Sequence, residues 1–251
     1  MDEKSVEGEQ RVNLPPGTCP RSAYDGEMLF EQIAQDAAAG RFDAWALSTV
    51  VDENVQSPVI SPAQFAELHG AAGLTAEWPL GNAGLLHVYG YLLSTVVTPY
   101  GLKGDRWRTG ELARALGLAP DAFRLDSAAA AGETVLQRAT DAALPHLVRP
   151  SVARGDRHVI DDEVPHGSGA TASVADTFFR TTVVRAPGGA ALVYGVSAGG
   201  MMRLVTAFPL ADPVTALNSL ATEPPPMRYN AALADLPPRS PLRRRSESHA
   251  G

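Results

Sequence analysis

TFFRTTVVRAPGGAALVYGVSAGGMMRLVTAF, residues 177–208, is the stretch whose reading decides the fold. Three runs rich in Val, Thr and aromatic residues stand at Thr177–Arg185, Ala190–Val196 and Met201–Phe208, and that composition suits a pleated, half-buried surface. Ala186-Pro187-Gly188-Gly189 and Ser197-Ala198-Gly199-Gly200 separate them as turns, because glycine supplies positive φ and proline stops a ladder. Pro209 ends the third run. The pattern predicts a three-stranded antiparallel meander.

Two-residue turns on both Gly-Gly pairs would set Arg185 opposite Leu192 and Val196 opposite Arg203. Thr181, Tyr194 and Arg203 then share one face with Val183, Leu192 and Val205. Arg180, Thr182, Leu204, Thr206 and Phe208 fall on the other. Arg203 interrupts an apolar strand, and a buried arginine needs an anionic partner. A protein carboxylate or a ligand would serve.

Outward from the meander, helical signals dominate. Asp25 can cap a helix with Leu29, Phe30, Ile33, Ala34 and Ala37 on one face, stopped by Gly40. Ser61-Pro62-Ala63-Gln64 is a capping box with proline at the first helical position. Thr109–Leu116, Glu133–Leu144 and Val214–Leu220 read as further helices. Ala44–Val51 and His158–Val164 read as strands. Gly84–Val97, with its aromatic and β-branched residues, reads as one long strand or two. The fold class expected is α+β: a mainly antiparallel sheet ending in the C-terminal three-stranded meander, with helices packed on it. Residues 1–23 are expected to be a flexible arm, 24–235 a single domain, and 236–251 a disordered tail with the basic run Arg243–Arg245.

The chain has 251 residues, 45% of them apolar and 20% charged, a globular composition with enough interior for a core. The net charge of −7 argues against nucleic acid as a partner. Cys19 is the only cysteine, which excludes an internal disulfide and a Cys-based zinc site. The polar, acidic N-terminus is unlike a secretory signal, and no apolar run suits a membrane span. A cytoplasmic location and no membrane partner are therefore expected. A homodimer is compatible with this reading.

Ser94–Arg108 (STVVTPYGLKGDRWR) is the segment richest in binding chemistry. It places Pro99 and Gly101 after a strand, where loops hold functional groups on a rigid scaffold. Lys103 and Arg106 can hold a carboxylate or phosphate, and Tyr100 and Trp107 can stack on a planar group. Lys103 is also notable because Lys4 is the only other lysine, and a lysine, unlike an arginine, can give up its proton. His166, held between Pro165 and Gly167 beside Asp161, Asp162 and Glu163, can act as a general acid or base near neutral pH. Ser94 is a candidate substrate contact without the elbow sequence of a hydrolase nucleophile. Tyr194 and Arg203 would line the pocket from the sheet. His87, between apolar neighbours, reads as a core histidine.

No dinucleotide fingerprint, Walker A sequence or zinc-binding H-E-x-x-H occurs, and no cofactor or metal is expected. Thr109–Leu118 looks like the start of a helix-turn-helix, but the segment after it carries Arg124 against Asp121 and Asp126, poor for a phosphate-lined groove. Arg203–Pro209 (RLVTAFP) is similar over seven residues to the closing strand of metal-independent ribonuclease toxin domains. The function expected is a cofactor-independent enzyme of lyase, hydrolase or transferase type. It would act on a small anionic metabolite through His166 and Lys103, with Arg106, Tyr100, Trp107, Ser94, Arg203 and Tyr194 binding the substrate. The alternatives are a non-catalytic ligand-binding or protein-interaction module and a metal-independent ribonuclease-like enzyme.

Overall fold

The computed structural model describes residues 23–127, 132–148, 157–163, 177–222 and 227–233. His166, the arm up to residue 22 and the basic tail lie outside these residues. Helix α1 (Ala23–Ala38) buries Leu29 and Ile33 and is followed by Gly40 at φ 64°. Short strands β1 (Leu47–Thr49), β2 (Val51–Asp52) and β3 (Ser57–Pro58) precede helix α2 (Pro62–Ala71). The capping box at its start forms as the sequence predicts. The Gln64 N–H donates to Ser61 Oγ at 3.2 Å, and the Ser61 N–H donates to Gln64 Oε1 at 2.9 Å. Strand β4 (Leu80–Asn82) follows.

Residues 84–97 differ from the expected strand. Leu85–Gly90 forms a π-helical turn that runs into α3 (Tyr91–Leu93). The Asn82 side chain starts it, accepting N–H bonds from Gly84 and Leu85 at 3.0 and 3.2 Å. Every residue from Leu85 to Leu92 is buried. A helix apolar on all sides shows no helical periodicity, and a short buried run cannot be told from a strand by pattern alone. A small hairpin, β5 (Val97–Thr98) and β6 (Gly101–Leu102), then leads into helices α4 (Asp105–Arg108), α5 (Glu111–Ala115), α6 (Val135–Ala143) and α7 (Pro145–Val148).

The main sheet contains β7 (Arg157–Glu163), β8 (Phe178–Ala186), β9 (Gly189–Ala198) and β10 (Met201–Leu210), antiparallel throughout in the order β10-β9-β8-β7. Helix α8 (Pro213–Thr222) follows β10, and β11 (Ala231–Ala232) joins β1 and β4 in a small second sheet. The molecule is α+β, with the meander and one added strand as its main sheet.

The register differs from the expectation in two ways. The second hairpin closes on Gly199–Gly200, whose φ values are 59° and 76°, and Val196 faces Arg203 as expected. The first closes one step early, on Pro187–Gly188, so Arg185 faces Ala190 and Leu192 faces Val183. Proline's fixed φ suits the first central position of a turn, and Gly188 sits where a Cβ would come within 2.9 Å of Arg114. This offset of two residues preserves the faces.

The second difference does not preserve them. The register shifts between Leu204 and Thr206, so Leu204 faces Gly195 while Thr206 faces Tyr194, and Val205 is left as a β-bulge. A one-residue insertion reverses the parity of everything beyond it. Thr206 and Phe208 therefore lie on the Tyr194 and Leu192 side of the sheet, not on the side of Leu204.

Two cores follow from these faces. Val184, Ala191, Val193, Leu204 and Ala207 join the helical layer, where Leu29, Phe65, Leu86, Leu112 and Leu136 are buried. Phe179, Val183, Leu192, Tyr194, Val196 and Val205 form a second core on the opposite face, covered by Leu220 of α8 and flanked by Met227, Tyr229 and Leu233. Among the described residues no helix is long and apolar enough to cross a membrane.

Candidate functional site

A cleft of about 740 Å³ opens beside the second core. Its floor comes from Leu192 of β9 and Thr206, Phe208 and Leu210 of β10; the bulge at Val205 brings Thr206 and Phe208 there. One wall is α8, through Ala216, Ser219 and Leu220, with Tyr229 and Asn230 beyond it. The other wall carries Asp52, Glu53, Tyr91, Tyr100, Lys103, Arg106, Glu111 and Arg114. A volume of this size holds a small organic molecule.

The deepest charged pair is Lys103 with Asp52. Their side chains are only 5% and 1% exposed, and Lys103 Nζ is ion-paired to Asp52 Oδ2. Asp52 Oδ1 accepts the N–H groups of Asn54 at 2.9 Å and Val55 at 3.1 Å. Burial works against the Asp52 carboxylate, but Lys103 and these donors outweigh it, so the carboxyl sits below its ordinary value. Burial acts most strongly on Lys103, and with the nearby Arg106 charge it outweighs Asp52, holding the ammonium below the ordinary lysine value.

Lys103 also lies over the ring of Tyr91, 5.0 Å from its centroid. Tyr91 in turn stacks on His87, with centroids 4.9 Å apart and an interplanar angle of 28°. His87 Nδ1 lies 2.6 Å from the carbonyl of Val205, the bulged residue, and Nε2 lies 2.9 Å from Ser48 Oγ. A carbonyl only accepts, so Nδ1 carries the proton and Nε2 accepts from the serine hydroxyl. Burial first, then the Lys103 charge, push the imidazole down to about 3. His87 is thus a neutral core histidine, as its neighbours in sequence suggest, on a helix rather than a strand. Burial raises the Tyr91 phenol above its ordinary value, so it stays protonated.

Arg106 stands half-buried on the cleft wall, as does Arg114. It forms no ion pair with any carboxylate among the described residues; its recorded contact is with the ring of Phe208, whose centroid lies 5.4 Å from Cζ. A guanidinium held over a ring keeps its in-plane N–H donors for an anion. Tyr100 stands at the mouth, 70% exposed. Its turn is fixed locally: Thr98 Oγ1 accepts the Tyr100 N–H at 3.2 Å and donates to the Gly101 carbonyl at 2.9 Å.

Tyr229 and Asn230 have φ of 55° and 64°. Consecutive non-glycine residues in this region are disfavoured, and such backbone persists where its surroundings impose it. Here Tyr229 is wedged edge-on between Tyr194 and Phe208, at 5.0 and 5.3 Å, while the Asn230 carbonyl accepts the Thr49 N–H at 2.9 Å and lies 2.9 Å from Ser48 Oγ.

Of the residues singled out from the sequence, Lys103, Arg106 and Tyr100 meet in this cleft. Trp107 is buried and packs edge-on against Phe123. Ser94 is buried, and its Oγ accepts the Val96 N–H at 3.3 Å. Tyr194 lies beneath the cleft, where its hydroxyl accepts the Arg228 N–H at 3.1 Å. Arg203 is half-buried on the edge strand, and its Nε donates to the Asp43 carbonyl at 3.1 Å; a backbone oxygen takes the place of the expected anion. Asp52, Tyr91, Thr206, Phe208, Tyr229 and Asn230 enter the site without having been singled out. Asp52 alone had a usable signal, an acid at a strand end that could answer a buried lysine. Among the described residues no group of three or more His, Cys, Asp and Glu is arranged to hold a metal ion. Comparison with protein-family models, curated proteins and solved structures finds no match.

Proposed function

We propose that the cleft binds a small anionic molecule, with Arg106 as the group that receives its charge. The observation that carries this reading is a half-buried guanidinium, free of carboxylate partners among the described residues, facing a cavity of about 740 Å³. A cation in such a place is under-compensated until an anion arrives. The Lys103–Asp52 pair is already matched within the protein, so it shapes the field of the site without consuming a ligand charge. The chain then acts first as a ligand-binding protein.

Turnover in the same cleft is the second reading. Lys103 favours it, because its amine lines the cavity, burial holds it below the ordinary lysine value, and Asp52 is placed to exchange a proton with it. His166 lies outside the described residues and enters neither reading. Calorimetric titration with small carboxylates and phosphates tests the site. Arg106→Gln is expected to weaken any hit at least about tenfold, the worth of a charged hydrogen bond, with little change in melting temperature. Unchanged affinity would remove Arg106 from the site. Lys103→Ala separates the readings: lost turnover with retained binding marks an enzyme, and parallel loss of binding and stability marks a structural pair.

A further inference from the structure

We infer that Lys103 forms a protonated imine with the carbonyl group of an oxo acid held in the cleft, an inference that deepens the turnover reading of this site and rests on its anion-binding reading. Lys103 and Lys4 are the only lysines in a chain that otherwise uses arginine for its cations. A guanidinium can also pair with a carboxylate, but only a primary amine condenses with a carbonyl. The Lys103 side chain is 5% exposed, lies over the ring of Tyr91 and lines the same cavity as Arg106. A buried ion pair is weak evidence for stability, because desolvation offsets its attraction. At the wall of a cavity of about 740 Å³ the pair instead puts a nucleophile where a small molecule fits.

Asp52 selects the reaction. Its carboxylate is 1% exposed and needs a cation beside it. Acylation of the amine would remove that charge, whereas condensation with a carbonyl keeps it. The ammonium passes one proton to Asp52, and the freed Nζ lone pair attacks the carbonyl carbon. Burial is the largest influence on each partner and favours its neutral form, which eases this first transfer. The carbon–oxygen π pair moves onto oxygen, which takes the proton back from Asp52. The new hydroxyl then leaves with a second nitrogen proton as water, and a C=N bond closes. One proton remains on nitrogen, so the positive charge stays against Asp52. Thr206 lines the cavity from the floor; it is 6% exposed, and its hydroxyl has no hydrogen-bond partner among the described residues. It offers a donor for the oxygen on which charge gathers. The acid group of the ligand falls to the guanidinium groups of the wall. Neither Arg106 nor Arg114 is ion-paired to a carboxylate among the described residues. Against them stand Glu111 on the same wall and Glu53, which is already engaged within the protein. Thr206 and Ser219 make the floor and α8 wall partly polar, which suits a short oxo acid.

Trapping with cyanoborohydride, which reduces iminium ions in preference to free carbonyl groups, tests this on the full chain. Hydride adds to the imine carbon and fixes the ligand as a secondary amine, so the modified peptide gains the mass of the acid less one oxygen atom. Pyruvate, acetoacetate and levulinate place the carbonyl progressively farther from the carboxylate. Peptide mapping by mass spectrometry is expected to find an adduct of at least one of them on Lys103 in excess of Lys4 and the terminal amine, which report background condensation in water. Lys103→Arg, which keeps a charge for Asp52, should lose the adduct while circular dichroism shows the native fold; the map of the natural chain decides the matter even if that variant does not fold. Arg106→Gln should raise the concentration for half-maximal trapping at least about tenfold. If an acid binds calorimetrically through Arg106 but no adduct on Lys103 exceeds background, the imine inference fails and the anion site stands. If Lys103 is trapped with no dependence on Arg106, the imine stands and Arg106 leaves the anion site. If neither effect is seen, both fail.

Discussion

His87 joins three parts of the molecule through one ring: the bulge carbonyl of Val205, the hydroxyl of Ser48, and the face of Tyr91 in the cleft wall. Its pKa falls from the ordinary 6.5 to about 3 in the folded protein, so the unfolded chain binds a proton that the folded chain refuses. Stability from this residue is fully present above pH 6.5 and is lost as pH falls towards 3, with a slope of up to about 1.4 kcal/mol per pH unit. Urea midpoints measured from pH 7 to pH 4 should fall more steeply for the natural chain than for His87→Gln; parallel slopes would contradict a buried, neutral imidazole. The sequence marks His87 as a core residue because its neighbours are apolar. It does not reveal what His87 holds, since Val205 and Ser48 come from distant strands. Lys103 was legible for a related reason: one of only two lysines in an arginine-rich chain stands out, whereas its partner Asp52 is one acid among many. Trp107 shows the opposite outcome. Aromatic residues in a charged loop suit a binding surface and a core anchor equally, and only packing against Phe123 decides between them.

At the scale of elements, local chemistry was readable only in part: Asp25 lies within α1 rather than capping it, and the first turn of the meander closes one step early. The Ser61 box and the Gly199–Gly200 turn form as their residues require. Segment 84–97 was misread because burial on every side removes the periodicity that separates helix from strand. The bulge in β10 leaves no local trace at all. It lies next to the Leu204–Gly195 pair, where the strands are closely packed. A Cβ on Gly195 would come within 2.5 Å of both the Arg203 carbonyl and Leu147 Cδ1, so neither the strand nor α7 has room for it. Gly195→Ala is expected to destabilise the fold by roughly 1–3 kcal/mol, the usual penalty for overpacking, seen as a lower urea midpoint with an unchanged slope. A neutral effect would show that β9 and β10 are held less closely than this contact implies.

At the scale of the molecule, the cleft is assembled from strand ends, a hairpin, two helical walls and the Tyr229–Asn230 corner, segments far apart in sequence. The fold class was legible because composition and strand spacing carry it; the cleft was not, because no single segment contains it. A saturating ligand should therefore slow amide exchange in several places together, around residues 52–54, 100–106 and 228–230, measured by hydrogen-exchange mass spectrometry. Protection confined to one of these segments would contradict a single shared cavity. The bulge has a consequence for how such a site arises. Thr206 and Phe208 reach the cleft because β10 is one residue longer than its partner requires, not because of what either side chain is. The floor is encoded as a length. Substitution tunes it, but a one-residue insertion or deletion within β10 at the bulge would turn Thr206, Phe208 and Leu210 towards the other face of the sheet. A lineage could gain or lose this cavity in a single indel with every chemical group kept.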